Sequence, residues 1–213
     1  MYHIYLTFLS VCFIVNIFTS AHDRGMVYFK WAMAANFLAE AVAFYRAELL
    51  AVNPFPAYHI LIPIDYTLMA YFFRHYMTAK AMKHIMLISI GLFAGACVMI
   101  TSLFYKSLFA FPSIQNSMVS ILYCLLSANL LLNLEPLNGI SIIKHPLAWI
   151  CLGLIVFNTG SFFLAGVYNF LVAEKSQARI LLHSIFNNGL NCFMYTCFAV
   201  GMYLSNKLSG RPG

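Results

Sequence analysis

Six side chains stand where an apolar chain has little reason to place them. Glu40, Arg46 and Asp65 lie within or at the edge of long apolar runs, and His183, Asn187 and Asn191 recur every four residues along another. Placing a charged group at bilayer depth costs roughly 2.5–3.5 kcal/mol on insertion scales, so such groups turn toward protein or water and take a partner. The chemistry open to them is proton coupling, or recognition of a small or lipidic ligand in a polar interior reached from the outer leaflet. Depths counted from the span ends place Arg46 and Asp65 level, which predicts an ion pair or a shared hydrogen-bond network. Glu40 then sits about one and a half turns deeper, with no evident cation. Ser184, Asn188 and Tyr195 run beside the His183 line, and Asn129, Asn158, Thr159 and Ser161 could complete a wall. The alternative is simpler: these groups staple helices together and bind nothing.

Other chemistries fit less well. A retinal Schiff base needs a lysine deep in a helix, and every lysine here sits near a span end. Haem needs facing histidines, for which only His59 and His183 qualify. No HxxxH or HxxxD pattern points to zinc, although His59, Asp65 and His183 could converge on a metal. Ser184 follows His183 directly, which puts the two on different helix faces rather than in nucleophile–base contact. The residues therefore call for no cofactor and no catalytic set.

Seven apolar runs must position these groups. They cover about residues 2–20, 26–51, 58–76, 82–105, 113–134, 146–171 and 178–204. The breaks between them are marked by Asn53-Pro54-Phe55-Pro56, Lys80 with Lys83, Lys106 to Pro112, Glu135-Pro136-Leu137-Asn138-Gly139, and Glu174 with Lys175 and Arg179. The first run has no basic residue ahead of it and no small-x-small cleavage site after it, which predicts a retained helix. Pro63 predicts a kink or an opened turn in the third run, since it removes the partner of the His59 carbonyl. Ala35, Ala39, Ala43 and Ala47 predict a smooth packing stripe, Asn36 and Glu40 a polar face beside it, and Gly91 with Gly95 a close helix contact.

Composition sets the class. Of 213 residues 62% are hydrophobic and 8% charged, and the mean hydropathy is +0.83, far from a soluble domain in which about a quarter of residues are charged. The fold class is all-α: a polytopic membrane protein with seven spans, residues 1–205 forming one transmembrane domain and 206–213 a short cytoplasmic tail. Twelve Lys and Arg give a net charge of +6, but they sit at span ends and form no basic face for nucleic acid. Eight fall on one side (Arg24, Lys30, Arg74, Lys80, Lys83, Lys144, Lys207, Arg211) and four on the other (Arg46, Lys106, Lys175, Arg179). That bias puts the amino terminus outside and the carboxyl terminus in the cytoplasm. The six cysteines lie inside apolar runs without a CxxC pair and read as small buried residues.

Trp149, Gly160-Ser161-Phe162-Phe163, His183-Ser184-Ile185-Phe186-Asn187 and the Asp65-Tyr66 to Tyr71-Phe72-Phe73 stretch resemble small seven-helix membrane proteins and sensor-like membrane domains of Bacteroidetes-type bacteria. The resemblance implies a bacterial inner-membrane protein, sensor-like or accessory, and transfers no catalytic residue. The expected function is non-enzymatic binding of a small or lipidic ligand, or of a partner membrane protein, between helices two, three and seven. The alternatives are a small proton-coupled transporter or channel using Glu40 and Asp65, and an intramembrane enzyme acting on lipid.

Overall fold

A computed structural model describes residues 2–19, 23–134, 142–173 and 177–209, with side chains for 6–19, 23–134, 142–164 and 185–207. The described residues form seven α-helices and no strand: α1 (Tyr2–Phe18), α2 (Arg24–Phe44), α3 (Phe55–Tyr76), α4 (Lys80–Ile100), α5 (Ser113–Leu132), α6 (Pro146–Ala173) and α7 (Gln177–Ser209). Among the described residues three segments, Lys80–Tyr105, Ser113–Leu132 and Pro146–Leu164, are long and apolar enough to cross a membrane. The expected breaker Glu135–Gly139 and the loop at Glu174 lie outside the described residues.

The chain divides into two compact units, one of residues 21–119 and one of residues 1–20 with 120–213. In the first, α2 and α3 form an antiparallel pair and α4 packs on α3. The side of α2 that is buried runs through Met26, Phe29 and Met33, a spacing of three and four residues that keeps one helical face inward. Of the alanine stripe only Ala43 is buried. The large residues of the neighbouring face fill the seam better than a small-residue groove does, with Phe29 against Phe72 and Tyr28 stacked on Tyr71. Pro63 sits inside an uninterrupted α3, where the Thr67 hydroxyl bonds to the Pro63 carbonyl at 2.7 Å.

Two helices end in the same unusual way. After Phe44 the chain widens into a π-helical turn, Tyr45–Leu49, and Ala51 then takes a left-handed φ of 51°. After Ile100 a second π-helical turn, Thr101–Tyr105, ends at Lys106 with φ 52°. Neither residue is glycine, so each conformation costs energy that neighbouring contacts must offset.

In the other unit α6 and α7 lie antiparallel, and α1 packs on α7. Glycine lets the first pair approach closely. A Cβ on Gly153 would come within 2.9 Å of the Cys197 Cβ and 3.2 Å of the Met194 carbonyl, and one on Gly201 within 3.0 Å of the Pro146 carbonyl. Gly91 and Gly95 behave differently, since a Cβ on either meets nothing within 4 Å. The expected close contact there is not formed in this unit, because α4 packs through Met86, Phe93 and Cys97, on another face. Gly153→Ala should therefore destabilise by about 1–3 kcal/mol, whereas Gly91→Ala should be neutral or stabilising by up to about 1 kcal/mol. Melting both variants in detergent checks this, and equal shifts would contradict the packing.

His145 immediately precedes α6, and its Nδ1 accepts from the Leu147 N–H at 3.2 Å. Burial lowers its pKa below the usual value, so the fold favours the neutral ring that can accept this bond. Stability is then full above the range of the unfolded imidazole, near pH 6.5, and falls as pH drops through it. Melts of His145→Gln should be flatter than wild type between about pH 7 and 5.

Candidate functional site

The α2–α3 seam carries a ladder of polar contacts in one register, each step forward on α2 matched by a step back on α3. At one end Asp23, the N-cap of α2, accepts from the Gly25 N–H at 3.3 Å. Its carboxylate also pairs with His75 Nε2 at 2.6 Å and accepts from the Tyr76 hydroxyl. Gly25 lies directly under these rings, where a Cβ would stand 2.5 Å from Tyr76 Cε2. Midway, Asn36 donates one N–H to the Ala32 carbonyl at 2.9 Å and the other to Asp65 Oδ1 at 2.6 Å. Beyond it, both Glu40 oxygens lie 3.2 Å from the Tyr58 hydroxyl, which donates to them. The face shared by Asn36 and Glu40 is thus the face turned to α3.

The expected Arg46–Asp65 pairing is not the contact formed. Arg46 Nε donates to the Asn53 carbonyl at 3.1 Å. The reason is register: α3 starts at Phe55, three residues earlier than its apolar run suggests, and α2 gives way to a π-helical turn before Arg46. Asp65 therefore faces Asn36, and the position facing Arg46 lies in the loop.

At that loop end the side chains close a second network. Asn53 donates to the Phe109 carbonyl at 2.8 Å and accepts from the Phe55 N–H at 2.9 Å. His59 Nε2 lies 2.9 Å from the Ala110 carbonyl, and Nδ1 lies 3.2 Å from the Thr101 hydroxyl. A carbonyl only accepts, so Nε2 carries a proton, and in the neutral ring Nδ1 accepts from Thr101. Gln115 Nε2 in turn donates to the Thr101 oxygen at 2.9 Å. The ring's lone pair is occupied, which argues against His59 as a haem or metal ligand. No three His, Cys, Asp or Glu side chains gather as a metal site among the described residues.

The α7 candidates lie in the other unit. Asn191 is buried and donates to the Asn187 carbonyl one turn earlier at 3.0 Å, and Asn187 is half-buried. The side chains of His183 and Ser184 lie outside the described residues. On α6, Asn158 is buried and bonds back to the Leu154 carbonyl at 2.7 Å. Glu40 and Asp65 thus share one seam, Arg46 lies in the π-helical turn and bonds the loop after it, and the Asn191 amide bonds to its own helix.

Sequence reasoning did not find Asn53, Thr101, Gln115, Tyr58 or the Asp23 cluster as partners. Gln115 alone left a usable trace, as an amide two residues into an apolar run. No family model, curated protein or solved structure matches this chain.

Asp65→Ala strands the Asn36 amide in the seam and should cost about 1–3 kcal/mol, while Arg46→Ala loses one bond at a half-buried loop and should cost about 1 kcal/mol or less. Detergent melts that rank the two in the opposite order would contradict the register.

Proposed function

We propose that the chain is a seven-span integral membrane protein of a bacterial inner membrane, with its amino terminus outside and its carboxyl terminus in the cytoplasm. It acts without catalysis, as a sensor-like or accessory subunit that holds a small or lipidic ligand or a partner membrane protein. The kinship with sensor-like membrane domains of Bacteroidetes-type bacteria belongs to the same proposal. Three spans of sufficient length and apolarity support the membrane assignment, as do exposed large apolar side chains on α4 such as Ile88, Leu92 and Val98, a surface that water penalises and lipid does not. The eight-to-four bias of Lys and Arg supports the orientation.

One observation carries the non-enzymatic reading: both carboxylates inside the α2–α3 seam are held by the facing helix, Asp65 by Asn36 and Glu40 by Tyr58. A general base needs a substrate proton within reach, whereas a helix staple or recognition site needs satisfied partners. The seam contributes acceptors and amide donors to whatever docks beside it.

Native mass spectrometry of protein extracted in mild detergent tests this. Wild type should carry a bound small molecule or a second protein chain, and Glu40→Gln and Asp65→Asn should retain less while keeping the elution volume of the wild type. Purified wild type with nothing bound, but with pH-dependent solute flux in vesicles that Glu40→Gln abolishes, would replace this reading with the transporter. Orientation is tested separately in a cysteine-free background, where Thr78→Cys should label only from the cytoplasmic side and Ser107→Cys only from outside.

A further inference from the structure

One end of the α2–α4 unit is far more basic than the other. Arg24 opens α2, Arg74 lies in the last turn of α3, and Lys80 and Lys83 occupy the first turn of α4. Chain geometry brings them together: the Asp23–His75 and Asp23–Tyr76 contacts clamp the start of α2 to the end of α3, and three residues link α3 to α4. None of these four cations has a carboxylate partner among the described residues. The one acidic group at this end, Asp23, is taken by His75, Tyr76 and the Gly25 N–H. The Nε of Arg74 is buried with no hydrogen-bond partner. The backbone adds charge of the same sign, since α4 has Ala79 as its N-cap, with no side-chain cap and no acidic residue in its first turn, leaving N–H groups and a positive dipole end exposed. The opposite end has Arg46 and Lys106 with Glu48 nearby, and Arg46 is already bonded to the Asn53 carbonyl.

We propose that this end of the α2–α4 unit is a binding site for the phosphate of anionic phospholipid headgroups, held chiefly by Arg74, Lys80 and Lys83. Cations without a carboxylate partner and an uncapped helix start both suit a tetrahedral oxyanion. A headgroup is favoured as the occupant by position, because these residues sit where apolar helices end, at the depth of lipid phosphates. The inference rests on the membrane reading of the chain and is independent of which leaflet this end faces.

The test is spin-label lipid association in vesicles of phosphatidylcholine doped with labelled phosphatidylglycerol or labelled phosphatidylcholine. Wild type should prefer the anionic lipid at least about threefold at low salt, and the preference should shrink as salt rises. Arg74→Gln with Lys80→Gln and Lys83→Gln should bring it to about one, while Arg46→Gln with Lys106→Gln should leave it unchanged. If the triple variant fails to fold, the Lys80→Gln, Lys83→Gln pair should still lose at least about half of the preference. An unchanged preference in these variants, or equal loss in the Arg46 and Lys106 pair, would overturn the site. Abolition of the preference by millimolar inorganic phosphate, at matched ionic strength, would assign it to soluble anions and overturn the lipid assignment. The Thr78→Cys labelling result leaves these outcomes unaffected, so a wrong orientation and a wrong site are distinguishable.

Discussion

A polar side chain buried in an apolar helix needs a partner, and much of the architecture follows from how Asn36, Asp65, Glu40, Asn158 and Asn191 find theirs. The amide side chains use one device in common. Asn36, Asn158 and Asn191 each return an N–H to the carbonyl four residues earlier, which removes the cost of an unpaired donor in a medium of low dielectric. Asn36 also spends its other N–H on Asp65. That second bond turns a local economy into a link between helices. It makes α2 and α3 a pair whose register is set by polar contacts as well as by the Phe29–Phe72 packing.

The two ends of the α2–α4 unit are held by opposite kinds of chemistry. At one, a single carboxylate gathers a histidine, a tyrosine and a helix N-terminus around Gly25. At the other, side chains reach backbone carbonyls: Arg46 bonds to that of Asn53, Asn53 and His59 to those of Phe109 and Ala110, and Gln115 reaches Thr101. This network adjoins both π-helical turns and both left-handed residues. These bonds fix the loops that the strained residues Ala51 and Lys106 create, which is how such conformations persist. The charged end, by contrast, leaves Arg24 and Lys80 exposed, with no carboxylate partner among the described residues.

Glycine serves close approach where backbone meets backbone, as at Gly153 and Gly201 against carbonyls of the paired helix. The same residue type at Gly91 and Gly95 leaves a smooth outer surface. Gly91 and Gly95 repeat at four residues and meet nothing, whereas Gly153 and Gly201 stand on different helices outside any such repeat and do meet a neighbour, so a four-residue glycine repeat states only that contact is possible.

Much was legible in the sequence: helix number, approximate boundaries, the all-α class and the turn of Asn36 and Glu40 to a common face all follow from apolar periodicity and from Pro, Gly and Asn at the breaks, which act through local backbone energetics. The pairing of Arg46, Asp65 and Glu40 was not legible. Which residue faces which across two helices depends on where each helix begins to within one turn, and that is decided by loop contacts such as Asn53 with Phe109 and by a π-helical turn that adds a residue to the last loop of hydrogen bonds. The apolar run ends at Ala51, yet the α-helix ends at Phe44, and the resulting offset moves Asp65 from Arg46 to Asn36. Local rules set what each segment is, while long-range packing alone sets its partner, because a shift of a few residues leaves every local preference intact and changes every contact across the seam.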